Sequence, residues 1–288
     1  MSANEPRAVS VSVLKGGFAK TTTALNVARE LAHRNERALV VDLDDNGHMT
    51  INLGFSDHYG GDWNYYEDIL IDGTDPHEAI VNVTDGLDLL PAHDDLESVE
   101  SGLKEATMGT TRLKKNVVDE LLGEDYDYIV VDCPANRGKL NDNAMYATGN
   151  LIIPMRPENG YESGLSNTVN RLVMEAREHF DLDILAVVPS GLRDRIDQDR
   201  RDRELLKELH DRDAIRNLVP NFAHLSSEDW GAVDAGDYNG DLPGIRYRSA
   251  IDDAHTEGLP LRDYDESCDQ LACYEELAEI VERGEVDR

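Results

Sequence analysis

Apolar and polar residues along this chain keep two rhythms. Val9, Val11 and Val13 are separated by single serines, the two-residue period of a strand. A glycine-containing stretch later, Ala24, Leu25, Val27, Ala28, Leu31 and Ala32 recur at helical spacing. The pairing repeats down the chain. Apolar runs at 37–43, 128–131, 150–154 and 184–188 have the length and polar flanks of buried parallel strands, and Gly86 to Leu90 predicts one more. Helical patterns lie between them: two within 94–122, broken near Gly109 and Thr110, one from Ser163 to Phe180, and a last from Glu266 to Arg283. Strands alternating with helices predict an α/β fold, one mostly parallel sheet with helices on both faces. The chain reads as one domain over 1–288, with an N-terminal tail at 1–7 and an inserted acidic loop at 221–244, where Gly, Asp and Ser abound.

The chemistry gathers where the predicted strands end. The stretch LKGGFAKTTT, from Leu14 to Thr23, sets two glycines and two lysines between the first strand and the first helix. Small residues there let backbone N–H groups approach a phosphate, and the helix N-terminus adds partial positive charge. Lys20 reaches the terminal phosphates of such a ligand, and Thr21 stands where a hydroxyl completes the shell of a bound Mg²⁺. Ala19 occupies the place of a glycine in the general phosphate-loop pattern; if that position needs a positive φ, alanine is strained in it. Two further strands end in carboxylates, one in Asp42, Asp44 and Asp45, the other in Asp132. The C-terminal edge of an open sheet is where ligands bind. Asp42 either orders its loop or takes part in chemistry. Cys133 is read as a buried small residue, because neighbouring carboxylates oppose a reactive thiolate.

Charge changes the picture of partners. Lys and Arg number 28 against 59 Asp and Glu, a formal charge of −31, which favours solubility and repels phosphate-rich surfaces. Hydrophobic residues at 40%, in clear periods, argue for a folded domain over acidic disorder. The acid-rich, lysine-poor composition is similar to that of proteins from salt-in halophiles, so a halophilic archaeon is the expected source. Cys133, Cys268 and Cys273 cannot all pair within one chain, which suits a reducing cytoplasm. The first residues lack a signal-peptide core and no window reaches membrane-spanning length, so a cytoplasmic protein without a membrane partner is expected. The aromatics Tyr59, Trp63, Tyr65 and Tyr66 would make a stacking platform for nucleic acid only with a basic groove; no Lys or Arg lies in 56–75, and a packed surface loop with a short helix is preferred. The arginines of 193–203 alternate with aspartates and read as a solvated, ion-paired helix start, with DNA contact as the lesser alternative.

The lysine before the glycine pair narrows the reading. The stretch from Lys15 to Thr22 resembles the deviant phosphate loop (KGGxxKTT) of the ParA/MinD superfamily of ATPases, and is most similar to its ParA, Soj-like branch. VVDLDDNGHMT at 40–50 is similar to that family's VDLDPQGNxT, with Asp45-Asn46 in place of Pro-Gln. YDYIVVDCP at 126–134 is similar to its Walker B strand, and MRPE at 155–158 to its VQPE, with Arg156 replacing glutamine. The segment IRYRSAIDDA at 245–254, with GLPL and YD after it, is similar to the ParA C-terminal motif.

The resemblance implies a P-loop fold that binds ATP and Mg²⁺. Gly16, Gly17, Phe18, Ala19, Lys20, Thr21 and Thr22 would cradle the nucleotide, and Pro189 would lie near the adenine. Thr21, Asp44 and Asp132 would hold the metal. Lys15, Lys20 and Asp44 would carry catalysis, Lys15 reaching across an ATP-sandwich homodimer and Asp44 orienting the attacking water. The family further implies weak hydrolysis stimulated by a ParB-like or cargo-adaptor protein, and non-specific DNA binding on the nucleoid in the ATP state, with Arg246 and Arg248 as candidate DNA contacts. Three rivals stay open. A ParA-like ATPase that positions a protein cargo shares every nucleotide residue. An iron–sulfur carrier is disfavoured because Cys268 and Cys273 are not a Cys-x-x-Cys pair. A nucleotide-gated binder with little hydrolysis is raised by Ala19 and the altered loop after Asp44. The acidic last helix is unlike the basic membrane helix of MinD relatives.

Overall fold

A computed structural model describes residues 5–34, 36–158, 165, 168–193 and 200–287. Eight strands form one sheet: β1 (Arg7–Val11), β2 (Ala38–Asp42), β3 (Val81–Thr84), β4 (Leu87–Leu90), β5 (Tyr128–Asp132), β6 (Asn150–Met155), β7 (Asp183–Leu192) and β8 (Ile245–Arg246). Their order is β3-β4-β2-β5-β1-β6-β7-β8, and every pairing is parallel except β3 with β4. The expected mostly parallel α/β sheet is therefore present. β3, an edge strand with no fully buried residue, was beyond the reach of the apolar pattern that marks the central strands.

Helices cover both faces. On one, α1 (Lys20–His33) places Ala24, Val27, Ala28 and Leu31 against Val9, Val40 and Val130. The alternation in β1 sends Val9 and Val11 to this face, as the two-residue period requires. On the other face, α2 (Leu96–Glu105) and α3 (Lys139–Thr148) pack on Leu39, Val41, Ile129 and Val131. Beside them α4 (Arg200–Asp211) and α5 (Ser227–Ala235) cover Ile153 and Val187. After α6 (Ser249–Glu257), the closing helix α7 (Leu271–Arg283) returns to α1, with Leu277, Ala278 and Val281 buried. Ion pairs add to that seam: Arg262 reaches Glu30, and Arg29 reaches Asp263 at 2.7 Å.

One predicted stretch comes out differently. The expected acidic loop at 221–244 contains α5, which opens on a capping box between Ser226 and Asp229 and buries Trp230 and Val233. The second pattern of 94–122 is present as a continuous helical run over 112–121, wider-wound at Lys114–Val118, after a single turn at Gly109–Thr111. Of the helix expected from Ser163, the described part is Thr168–Val173 and Met174–Arg177; residues 159–164 and 166–167, and 194–199 of the arginine-rich stretch, lie outside the described residues.

Candidate active site

The loop between β1 and α1 turns twice through positive φ. Gly17 has φ +78°, and the residue before Lys20, Ala19, has φ +62°. Alanine therefore sits in the left-handed region that the glycine of the general pattern would occupy without strain. Lys20 is 6% exposed at the first position of α1, and Thr21 beside it is half-buried. The Lys15 ammonium lies over the Phe18 ring of its own chain, 4.8 Å from the centroid, while Phe18 is fully buried in the core under β6 and β7. Gly16 faces open space.

Register brings the carboxylates to this loop. Asp132 ends β5 opposite Val11 of β1 on one side and Asp42 of β2 on the other. Asp42 is fully buried but satisfied: its oxygens accept from the Thr50 amide at 3.1 Å, the Thr50 hydroxyl at 2.7 Å and the Asp44 amide at 3.2 Å. Burial nonetheless raises its pKa to about 6 against the lowering pull of those donors. Through these bonds Asp42 ties together the loop that follows its own strand. Asp132 differs. It is fully buried, and neither carboxylate oxygen has a hydrogen-bond partner. Burial first, and the charge of Asp42 second, push its pKa well up. Lys20 and the Thr21 hydroxyl oppose the shift, the latter without reaching hydrogen-bond geometry.

A buried carboxylate with both oxygens orphaned is a site that wants a cation. Thr21 and Asp132 fit one hard divalent ion that keeps several waters, with Asp44 close enough to raise the Asp132 pKa further. Among the described residues there is no cluster of three or more His, Cys, Asp or Glu side chains that could form a metal cage. Asp44 sits half-buried at the head of a tight turn. Its carboxylate accepts from the Asn46 amide at 3.1 Å and the Asn46 side chain at 2.7 Å, and its carbonyl from the Gly47 amide at 2.8 Å.

Arg156 was given no role from sequence. Arg156 donates from Nη1 to the Gly17 carbonyl at 3.2 Å and borders a cleft of about 450 Å³, with Glu158, Gly191 and Arg193, at the β6 and β7 ends. Its replacement of the family glutamine was the signal available. Pro189 lies inside β7, buried beside Gly244, and the cleft is lined by Gly191 and Arg193 rather than by Pro189. Tyr65 and Tyr66 are buried, and the Tyr66 hydroxyl donates to the Asp42 carbonyl at 2.8 Å. The Tyr65 hydroxyl donates to the Ala92 carbonyl at 2.9 Å, so both rings pack inward instead of offering a platform to bases. Cys133 is fully buried and its thiol pKa is raised by burial, as expected of an inert cysteine.

Of the two arginines expected to touch DNA, Arg246 needs correction. Arg246 is 1% exposed; its guanidinium donates to the Arg193 carbonyl and faces the buried carboxylate of Asp202 at 3.9 Å. It joins β8 to the start of α4 and has no surface to offer a phosphate. Arg248 is bonded through Nε at 2.9 Å and Nη2 at 2.7 Å to Asp269, which neutralises it.

Comparison with known proteins places the chain among relatives of the same fold. The family profile described as an AAA domain matches residues 6–184. The chain is 33% identical over 178 residues to the sporulation initiation inhibitor protein Soj of Bacillus subtilis, covering 62% of this chain and 68% of that protein. It is 33% identical to the chromosome partitioning protein ParA of Caulobacter vibrioides over 55% of this chain and 59% of that protein, so this match spans about three fifths of the relative. The maintenance of carboxysome distribution protein A of Synechococcus elongatus is 29% identical over 79% of this chain and 89% of its own length. Among solved structures, the ATP complex of a variant of Cyanothece McdA is 20% identical, with a TM-score of 0.71 and 99% of each chain covered, and shares the fold. No helix among the described residues is long and apolar enough to cross a membrane.

Proposed function

The chain belongs to the ParA/MinD superfamily of deviant P-loop ATPases, and we propose that it is a Mg²⁺-dependent ATP hydrolase that partitions or positions a cargo through an ATP-sandwich homodimer. The observation that carries this reading is the orphaned, buried Asp132 carboxylate beside Lys20 and Thr21 at the mouth of a glycine loop. The backbone N–H groups from Gly16 to Thr22 face the phosphates, and Lys20 neutralises the terminal ones. Thr21, Asp132 and Asp44 would hold the metal, which when bound would neutralise charge on the phosphates. Asp44 orients the attacking water. Lys15 leaves the Phe18 ring to reach the partner protomer's phosphates. Hydrolysis is weak until a ParB-like or cargo-adaptor protein stimulates it, and the working compartment is the cytoplasm.

Two readings of the cargo follow. In the first, as for relatives named for chromosome partitioning, the cargo is DNA, and the ATP dimer sits on the nucleoid. In the second, as for the relative named for carboxysome distribution, it is a protein assembly. The burial of Arg246 and the pairing of Arg248 with Asp269 support the second.

Multiple-turnover phosphate release with ATP and Mg²⁺ in molar KCl tests the ATPase reading, and its persistence in Lys20→Ala would refute it. A pull-down with Asp44→Ala, which holds the ATP state, separates the cargoes: retained DNA supports the first reading, a retained protein without DNA the second.

A further inference from the structure

The turn that presents Asp44 is built from Asp44, Asp45, Asn46 and Gly47, where the family segment carries Pro-Gln at its centre. Proline at that place fixes φ and stiffens the turn; Asp45-Asn46 gives up that stiffness and adds a second negative charge beside the first. Something outside the turn has to restore its shape if Asp44 is to hold one position.

Tyr59 grips the turn at two points. Its hydroxyl donates to the Asp45 carbonyl at 2.7 Å. Its ring edge lies against Gly47 so closely that a Cβ built at residue 47 would meet Tyr59 Cδ2 and Cε2 at 2.3 Å. Gly47, at φ +55°, is the residue type that permits both the backbone angle and the approach. Tyr59 is in turn anchored: it closes the short helix Ser56–Tyr59, its carbonyl accepts from the Asp94 amide at 2.9 Å, and its ring packs on the core beneath α2. From this arrangement we propose that Tyr59 is the positioning residue for Asp44, an external clamp that replaces the rigidity lost with the proline. It touches neither nucleotide nor metal and acts through the turn alone. The inference rests on the role proposed above for Asp44.

The experiment compares Tyr59→Phe, which removes one oxygen, with Asp44→Asn in the full chain, using ATP and Mg²⁺ in molar KCl. Loss of the single hydrogen bond should lower kcat about three- to tenfold. Nucleotide affinity should hold within about twofold, because the phosphate loop is untouched. Amide exchange at Asn46 and Gly47 should quicken while that at Lys20 to Thr23 stays unchanged. Tyr59→Phe combined with Asp45→Pro should recover kcat, since proline suits the second position of such a turn. If Asp44→Asn is inactive while Tyr59→Phe turns over like the parent, the clamp is refuted and the site reading stands. If Asp44→Asn hydrolyses normally, both fall. A Tyr59→Phe variant that loses affinity and kcat together, or loses kcat with unchanged exchange at Asn46 and Gly47, also overturns the clamp.

Discussion

Asp42 and Asp132 face each other in register on adjacent parallel strands, both fully buried, and differ only in what surrounds their oxygens. Asp42 has three donors from its own loop, while Asp132 has none. The same residue type at the same depth is therefore satisfied by its own loop in one strand and left without a donor in the next.

Replacing Asp132 by asparagine should raise the melting temperature of the nucleotide-free protein and abolish the stabilisation given by Mg²⁺ with ATP. The pH dependence has a definite sign. The folded pKa of Asp132 lies above its unfolded value, so the folded state holds the extra proton, and stability is lost as pH rises through the carboxyl range and beyond. The stability gap between Asp132→Asn and the parent should widen upward from about pH 4, the free carboxyl value. Thermal melts across pH, with and without Mg²⁺ and ATP, read both effects.

Ala19 in the left-handed region strains the loop by about 1–2 kcal/mol, partly offset by the greater unfolded-state freedom of glycine. Ala19→Gly should stabilise the protein by up to about 1 kcal/mol in urea unfolding. A destabilised Ala19→Gly would show that the loop carries no such strain.

Arg246→Ala should cost about 3–5 kcal/mol, because it leaves Asp202 charged and buried without its counterion. Arg248→Ala, which opens a half-exposed pair, should cost under about 1 kcal/mol. Equal, small losses for the two variants in denaturant titrations would contradict the burial of Arg246.

At −31, the folded chain repels itself, and salt should relieve it. The screening length falls from about 10 Å at 0.1 M to about 3 Å at 1 M. The melting temperature should climb by about 5–10 °C over that range, equivalent to a few kcal/mol for a chain of this size. A flat response in KCl would detach the composition from any need for salt.

What the sequence determined by itself is local. The two-residue and helical periods located β1, β2, β5, β6, β7, α1 and α7, and the phosphate loop with its flanking carboxylates was legible because residues within one turn or strand end set its chemistry. Tertiary structure decided whatever depends on partners far along the chain. Arg246 is buried because β8 pairs with β7 and brings it to Asp202, 44 residues away, and nothing in IRYRSAIDDA records that neighbour. Tyr59 and Tyr66 brace the Asp42 and Asp44 loop because their hydroxyls meet carbonyls 14 and 24 positions earlier. Periodicity tells which face of an element is apolar; which distant side chain satisfies a buried polar group is fixed only when the sheet order and its registers are in place.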